Sequence, residues 1–228
     1  MRMRHLHDLK EMILPRICPV CGKRSTTGDS ALCIPCMAML PRHMDRRADD
    51  NLMIREVWQG IPAEEASSLF QYSRKSRYHN IIMRIKQPDG KRLARQMGMV
   101  AGQNMLRYGM EKDIDLLVPV PLSFVSRISR MYNQSKAIAQ GISEVTHIPV
   151  CDCISCKLVH KRQKRLGKLQ RMLNAQSAYK AHIPPQYRGS RILLVDDVFT
   201  TGSTMTGCAR ALLEDDAKSR VCLFSLAR

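Results

Sequence analysis

One stretch in the carboxyl-terminal part of the chain, RILLVDDVFTTGSTMTGCARALLEDD (residues 191–216), most limits the folds available to it. It begins with a continuous apolar run, Ile192 to Val195, which is typical of a strand buried on both faces of a parallel sheet. Asp196 and Asp197 follow directly, and open α/β sheets bind ligands at the carboxyl ends of their strands. From Met205 onward, apolar residues recur at helical spacing. This order predicts a parallel α/β sheet with a ligand site beside the two acids.

The loop between the acids and the helix has the composition of a phosphate site. Its small polar residues are Thr200, Thr201, Gly202, Ser203 and Thr204. A helix N-terminus offers unpaired N–H groups and a positive dipole end to an anion such as phosphate. The acids would then take the hydroxyl groups of a sugar phosphate and the loop its phosphate. The simpler alternative is a turn whose Asp and Thr side chains only cap the helix, although a cap needs a single such residue.

This segment resembles the 5-phosphoribosyl-1-pyrophosphate (PRPP) motif of type I phosphoribosyltransferases, in which four apolar residues and two acids precede a Thr-Thr-Gly-Ser-Thr loop. A nucleotide-binding Walker B strand would also end in acids. However, the chain contains no G-x-x-x-x-G-K-[ST] motif to accompany it.

Charge and cysteine content limit the class of ligand and the cellular compartment that we expect. The 228 residues carry a formal net charge of +17, from 37 Lys and Arg against 20 Asp and Glu, which attracts nucleic acid or phosphorylated metabolites. The first fifteen residues include charged side chains, and no run approaches the roughly 18 apolar residues of a membrane span. We therefore expect a cytoplasmic protein without a membrane span, whose nine cysteines are thiols or metal ligands.

Two C-x-x-C pairs near the amino terminus are separated by eleven residues. They consist of Cys18, Cys21, Cys33 and Cys36. Four thiolates in two tight turns make a closed tetrahedral Zn²⁺ site, and Gly22 after the second thiol helps its turn. A hairpin at residues 26–29 would join the pairs. Structural zinc is the prediction; a redox pair or disulfides are the alternatives.

The remaining cysteines carry a weaker signal. Cys151, Cys153 and Cys156 have the spacing of no common metal site, and we interpret them as buried or incidental thiols. Cys208 and Cys222 lie in apolar patterns and are predicted to be core residues.

The middle of the chain is basic and largely helical. Residues 41–60 are charged and weakly patterned, which predicts a linker, and residues 68–72 suit a short strand. Helices are predicted over 78–86 and 91–108, broken at Pro88-Asp89-Gly90. Their basic residues form either a solvated face or a nucleic-acid contact.

A second apolar run, residues 115–122, predicts a strand that stops near Val118, because prolines follow it. A helix is predicted from Asn133 to Val145. The phosphoribosyltransferase resemblance implies that Val120, Pro121 and Leu122 form the loop that contacts pyrophosphate. The alternative is an ordinary proline-rich connection.

A block with six positive charges and no acid, residues 161–171, follows a predicted strand at 154–159. Type I phosphoribosyltransferases carry a catalytic loop at this place, so the resemblance implies a basic lid with Lys164, Arg165 and Lys168 above the leaving group. A basic arm for nucleic acid is the competing interpretation.

The order of motifs extends the resemblance. C-P-V-C-G…C-I-P-C, V-P-V-P-L with R-M-Y-N-Q, Q-R-M-L-N-A-Q-S-A-Y and L-L-V-D-D-V-F-T-T-G-S-T occur in the order found in the ComF/GntX family of phosphoribosyltransferase-like proteins. We therefore expect a type I phosphoribosyltransferase fold, a twisted and mainly parallel sheet flanked by helices, over residues 46–228. A small zinc ribbon would occupy residues 1–45.

The resemblance also implies a chemistry. Asp196 and Asp197 would bind the ribose hydroxyls of PRPP, directly or through Mg²⁺, and the loop from Thr200 to Thr204 would bind the 5-phosphate. Phosphoribose would pass to an acceptor that the sequence does not identify, and pyrophosphate would leave. The rival hypothesis is a non-catalytic competence or DNA-processing factor that binds single-stranded DNA or a helicase through its zinc module and basic face. The sequence does not show the oligomeric state, although homodimers are common among such folds.

Overall fold

The computed structural model describes residues 17–24, 30–42, 52–58, 61–122, 131–156 and 178–228. Its strands are β1 (Ala63–Phe70), β2 (Leu116–Pro119), β3 (Ile154–Cys156), β4 (Tyr179–Ala181), β5 (Arg191–Val198) and β6 (Arg220–Ala227). Its α-helices are α1 (Ile34–Ala38), α2 (Leu52–Trp58), α3 (His79–Ile85), α4 (Lys91–Tyr108), α5 (Gln134–Thr146) and α6 (Ser203–Asp215).

The main sheet is parallel throughout, with the strand order β1-β6-β5-β2. Leu194 in β5 lies between Val118 of β2 and Leu223 of β6 in the register. A parallel bridge between Leu117 and Val150 continues the sheet beyond β2. Strands β3 and β4 form a separate antiparallel pair. The predicted mainly parallel sheet flanked by helices is confirmed.

Alternate residues of the central strand face two helical layers. Leu193 and Val195 pack with α3, α4, α5 and the cysteine segments, whereas Ile192 and Leu194 pack with α2 and α6. A strand buried on both faces needs apolar residues at successive positions, which is the pattern that β5 carries. Both neighbours of β5 are parallel strands, so its carboxyl end lies in the middle of one sheet edge.

Two glycines allow α4 and α5 to pack closely. A Cβ on Gly98 would lie 2.1 Å from the carbonyl oxygen of Ile138, and one on Gly141 would lie 1.9 Å from that of Arg95. Any side chain there would separate the helices. This contact fixes the position of α5 beside α4, and the first turn of α5 supplies a residue of the candidate site.

Helix predictions in the basic region agree with the structure: α3 and α4 occupy residues 79–85 and 91–108, on either side of the Pro88-Asp89-Gly90 break. The predicted linker over residues 41–60 was wrong in part, since α2 lies within it. Met53, Ile54 and Val57 are buried, at spacing typical of one helix face, but the acidic and basic residues around them hide the pattern.

The first strand also differs from its predicted bounds of 68–72, because β1 begins at Ala63. Glu64 and Glu65 made the start of β1 resemble a loop. Both instead form ion pairs with the Arg191 guanidinium, at N–O distances of 2.7 and 3.2 Å. Of the strand predicted at 154–159, β3 covers the first three residues and the others lie outside the described ranges.

The cysteine segments pack onto the larger domain. Leu32 and Leu40 share a buried cluster with Phe70 and Ile82. The Tyr78 hydroxyl, just before α3, donates to the carbonyl oxygens of Cys36 and Met39 at 3.2 and 2.7 Å. The boundary between a 1–45 module and a 46–228 domain stays a prediction.

Candidate functional site

The two acids lie at the carboxyl end of β5, where the sheet leaves an open cleft. Asp197 is 9% exposed and Asp196 is partly exposed. Successive residues of a strand face opposite sides of the sheet, so the two carboxylates leave the strand in different directions. Asp196 is on the side of α6, and Asp197 is on the side of α3.

Hydrogen bonds hold Asp196 in place. Its Oδ1 accepts from the Ser135 hydroxyl at 2.8 Å and from the backbone N–H of Asp197 at 2.8 Å. Ser135 is buried in the first turn of α5. Asn133 caps that turn: its Oδ1 accepts from the N–H of Lys136 at 3.2 Å, and its Nδ2 donates to the carbonyl of Val120 at 3.1 Å. One asparagine therefore ties the helix that orients Asp196 to the loop after β2.

The charge of the pair is unfavourable in this position. Burial, and then the neighbouring Asp197 carboxylate, raise the pKa of Asp196 well above that of an ordinary aspartate. Hydrogen bonds from Ser135 and the Asp197 N–H oppose the rise, as does the more distant charge of Lys86. Two adjacent carboxylates with so little solvent favour a cation or hydroxyl donors as a ligand.

Among the described residues, Lys86, directly after α3, is a basic residue that reaches the pair. Its Nζ lies 3.6 Å from Oδ2 of Asp197, and its side chain is 32% exposed. The sequence showed Lys86 only as one of many basic residues, and no spacing relates it to the acids 110 positions later.

The small polar loop follows the acids and wraps the beginning of α6. Thr200, Thr201, Ser203 and Thr204 are exposed, and the Thr201 and Ser203 hydroxyls lie 3.1 Å apart. Together with Asp196 the loop lines a hollow of about 200 Å³. The N-cap residue of α6, Gly202, makes no side-chain hydrogen bond to the helix, and the N–H groups of a first helical turn have no partner within the helix. Such an end of a 13-residue helix suits a phosphate.

Gly202 is required by the shape of that loop. Its φ is +68°, a value that other residues adopt at a cost. A Cβ there would also lie 2.8 Å from the Phe199 ring and 3.0 Å from Val57. The glycine therefore lets the loop turn tightly over an apolar base into the first turn of α6.

A larger open cleft of about 590 Å³ joins the acids to the loop after β2. Its lining includes Val120, Pro121, Leu122, Ser135, Tyr179, Asp196, Asp197 and Thr204. Burial raises the pKa of the Tyr179 phenol, so this side chain stays neutral at the cleft wall. The cleft thus brings together three segments that are far apart in the chain, namely the acids, the phosphate-type loop and the proline loop.

Lys164, Arg165 and Lys168, predicted to form a lid, lie outside the described residues, as does the predicted hairpin at residues 26–29. Ser135, Tyr179 and Lys86 are the site residues that sequence reasoning missed. Ser135 is adjacent to the quoted R-M-Y-N-Q motif and Tyr179 ends the quoted Q-S-A-Y motif. Those two motifs were the available signal.

The four amino-terminal cysteines form a compact cluster. The sulfur atoms of Cys18, Cys21, Cys33 and Cys36 all lie within 4.8 Å of one another. Gly22 has a φ of +71° and its N–H donates to the Cys18 carbonyl at 2.9 Å, which closes the first turn as predicted. The sulfurs could hold one zinc ion.

The thiol chemistry fits that metal. Burial alone raises a thiol pKa, but backbone N–H groups of Cys33, Cys21 and Val20 outweigh it and lower the pKa of Cys18 to about 7. Burial and the neighbouring thiols raise the pKa of Cys36 to about 12. A soft dication that binds all four sulfurs as thiolates would use the thiolate that Cys18 forms readily. It would also offset the burial and the neighbouring charge that raise the pKa of Cys36.

The other five cysteines form no disulfide within the described part of the chain. Cys153, Cys208 and Cys222 are buried, whereas Cys151 and Cys156 are partly exposed. Within the described ranges, the four amino-terminal cysteines are the only group of three or more His, Cys, Asp or Glu residues arranged for a metal. No helix in these ranges has both the length and the hydropathy of a membrane span.

Comparison with known proteins agrees with this architecture. Residues 91–227 match the family of the phosphoribosyl transferase domain. Competence protein ComFC of Bacillus subtilis (strain 168) is 31% identical over 113 residues, which cover 50% of this chain and 44% of that protein. Competence protein F of Haemophilus influenzae is 30% identical over 116 residues, which cover 50% of each chain.

A third similarity is longer. DNA utilization protein YhgH of Escherichia coli (strain K12) is 27% identical over 213 residues, covering 88% of this chain and 86% of that protein. By contrast, the matches to the two competence proteins span about half the length of those relatives. The chain belongs to the phosphoribosyl transferase domain family. Its similarity to ComFC, Competence protein F and YhgH supports the resemblance to the ComF family.

Proposed function

We propose that the protein binds PRPP together with Mg²⁺ and transfers phosphoribose to an acceptor, releasing pyrophosphate. The observation that carries the proposal is the junction of the acid pair with the first turn of α6. The carboxylates can accept hydrogen bonds from a diol, and the loop and the first turn of α6 can donate hydrogen bonds to a phosphate. These groups follow each other on one strand, one loop and one helix end. The open cleft beside them, which Val120, Pro121, Leu122 and Tyr179 help to line, is where we place the rest of the ligand.

In this proposal each segment contacts one part of PRPP. Asp196 and Asp197 accept hydrogen bonds from the ribose hydroxyls, and residues 200–204 donate to the 5-phosphate. Val120, Pro121 and Leu122 border the pyrophosphate. Lys164, Arg165 and Lys168 close over it as the basic block of residues 161–171.

The residues present fit Mg²⁺. Carboxylate oxygens are the ligands that this ion prefers, and Oδ2 of Asp197 is buried without a hydrogen bond from any described residue. When bound, the ion would supply positive charge to the pyrophosphate and so make it a better leaving group.

The transfer itself needs no covalent intermediate. The bond between C1 of the ribose and the pyrophosphate oxygen breaks, and pyrophosphate leaves with the electron pair. The acceptor forms its bond to C1 with a lone pair and loses a proton. The protein contributes position and charge stabilisation to an oxocarbenium-like transition state.

Calorimetry with PRPP and Mg²⁺ tests the proposal on the wild type and on the variants Asp196→Asn and Asp197→Asn. We expect heat of binding from the wild type and at least tenfold weaker binding from either variant. Folded wild-type protein that gives no heat would contradict the proposal. A screen of nucleobases and ammonia for pyrophosphate release then identifies the acceptor.

The names of the relatives support a second role, in the handling of DNA. The described surface around α3 is basic, with Arg74, Lys75, Arg77, Arg84 and Arg92 all exposed. This role would use that face and the zinc-bound module to bind single-stranded DNA or a helicase, in the cytoplasm and without a membrane span. Binding of single-stranded DNA at two salt concentrations is the test. We expect affinity to fall steeply with salt, because phosphate contacts release counterions; weak binding that ignores salt would reject this role.

A further inference from the structure

Lys86 lies at the candidate site without belonging to the matched family segment, which begins at residue 91. Its Nζ is 3.6 Å from Oδ2 of Asp197. Direct N–H···O hydrogen bonds between such groups are about 2.7–3.2 Å long, so the contact is a charge interaction that leaves the lone pairs of the oxygen unused. A charge this close to a buried carboxylate is a strong electrostatic influence on it.

The two acids are held by different means. Asp196 receives two hydrogen bonds on Oδ1, from Ser135 and from the Asp197 N–H. Oδ2 of Asp197, by contrast, is buried and accepts no hydrogen bond from the part of the chain that the structure describes. Burial of a carboxylate without hydrogen bonds or a counter-charge is strongly unfavourable. Lys86 supplies the counter-charge.

The backbone of Lys86 is itself held from several sides. The three isoleucines of α3 are buried, and the Lys86 N–H donates to the Ile82 carbonyl at 3.2 Å. The Tyr132 hydroxyl donates to the Ile85 carbonyl. Gly90 completes the turn, since a Cβ there would lie 2.2 Å from the carbonyl oxygen of Arg84. The backbone position from which the Lys86 side chain extends toward Asp197 is therefore fixed by packing and hydrogen bonds.

We infer that Lys86 is a positioning residue of the PRPP site: its ammonium neutralises the Asp197 carboxylate and holds it facing the cleft. This inference rests on the proposed function, because it assigns Asp197 to the sugar hydroxyls. The ribose diol then meets an acceptor that is already oriented and compensated, in place of two repelling carboxylates. Lys86 acts through Asp197 and does not touch the ligand.

Two measurements test it. The first is PRPP affinity, with Mg²⁺, for the wild type, Lys86→Met and Lys86→Arg. We expect Lys86→Met to bind about tenfold to a hundredfold more weakly, and Lys86→Arg to bind within about threefold of the wild type because the charge is restored. Lys218→Met is the matched control, since Lys218 is exposed in the turn before β6, at the opposite edge of the sheet. It should leave affinity unchanged.

The second measurement needs no ligand. Thermal unfolding of Lys86→Met, Asp197→Asn and the double variant forms a double-mutant cycle. If Lys86 acts on Asp197, the lysine substitution should shift the melting temperature in the wild-type background and hardly at all once Asp197 is Asn. Additive shifts would overturn the inference, whatever the PRPP result. Additive shifts with weakened affinity would mean that Lys86 contacts the ligand directly.

The same measurements distinguish a failure of this inference from a failure of the proposed function. If wild-type protein fails to bind PRPP, the proposed function fails, and the unfolding cycle still decides whether the two side chains are coupled. If the wild type binds PRPP and Lys86→Met binds within twofold of it, the inference fails and the function stands. A lower melting temperature with unchanged affinity of the folded protein would show a merely structural lysine and would likewise overturn it.

Discussion

The cysteine cluster and the acid pair are both groups of like side chains brought close together, and the fold completes them in opposite ways. The cysteines meet one another: four sulfurs lie within 4.8 Å of one another, and backbone N–H groups point at the sulfur of Cys18. The acids meet an open cleft, with hydrogen bonds on one carboxylate and a single ammonium 3.6 Å from the other. The first arrangement would surround a single ion on all sides, and the second leaves room for a larger ligand.

A structural cluster and a functional one differ in whether the protein itself completes the site or leaves it open to a ligand. A closed set of ligands has no free position and contributes its binding energy to folding. An acid pair that raises the pKa of one of its own members is a local cost to folding, which a ligand can relieve. Substitutions should therefore affect stability in the first region and binding in the second.

The largest effect is expected from Cys36→Ser. Cys36 is a buried member of the cluster, and its segment shares a core with Phe70 and Ile82. Loss of one ligand should release zinc and lower the free energy of unfolding by about 3 kcal/mol or more. Metal analysis and thermal unfolding measure both results. Cys151→Ser, outside the cluster, is the control; an unchanged metal content in Cys36→Ser would refute a four-cysteine site.

Gly202→Ala should be next in size. The substitution forces a side chain into positive φ and against Phe199 and Val57. We therefore expect the free energy of unfolding to fall by about 2–3 kcal/mol and PRPP binding to be lost. Gly189→Ala separates the two causes, because Gly189 has a φ of +75° but nothing within 4 Å of its Cβ position. It should cost about 1 kcal/mol. Equal losses in chemical denaturation would mean that the contact beneath the loop is unimportant.

A pair of aspartate variants should show opposite signs. Hydrogen bonds from the Gly189 N–H, the Ser219 hydroxyl and the Lys218 N–H lower the pKa of Asp216. Its stabilisation is present above the ordinary aspartate pKa and is lost as the pH falls through the lowered value. Asp216→Asn should therefore destabilise the protein by about 2 kcal/mol at neutral pH, and the difference should shrink on acidification.

Asp196→Asn should do the reverse. Because the folded state raises the pKa of Asp196, its ionisation opposes folding, and stability is lost as the pH rises above the ordinary aspartate value. An asparagine keeps an oxygen for Ser135 and removes that loss, so the variant should be about 1 kcal/mol more stable at neutral pH while it loses PRPP affinity. Denaturation curves from pH 4 to 8 measure the trend. A variant that is less stable at every pH would show that the pair carries no strain.

Features encoded by neighbouring residues could be predicted from the sequence, whereas features that depend on packing between distant segments could not. The knuckle at Cys18 and Cys21, the strand that carries Asp196 and the turn at Gly202 are each encoded within a few neighbouring residues, and their patterns could be recognised in the sequence. Ser135 and Lys86 meet the acids only because α5 and α3 pack beside the sheet. The packing of α5 against α4 depends on Gly98 and Gly141, whose contact with the facing helix no local sequence pattern indicates. The helix from Leu52 to Trp58 was missed since its apolar face is narrow and flanked by charges.

The smallest effect concerns the contact between the two regions. The Tyr78 hydroxyl links the cysteine segment to the start of α3, and Lys86 directly follows the last residue of α3. Tyr78→Phe keeps the buried ring and removes only the hydroxyl, so we expect a loss of about 0.5–1 kcal/mol with zinc content and PRPP affinity unchanged. Thermal unfolding, metal analysis and calorimetry on one preparation decide the matter. If affinity falls tenfold while zinc stays bound, the cysteine module is part of the binding site's support, and the contrast between a structural and a functional cluster no longer holds.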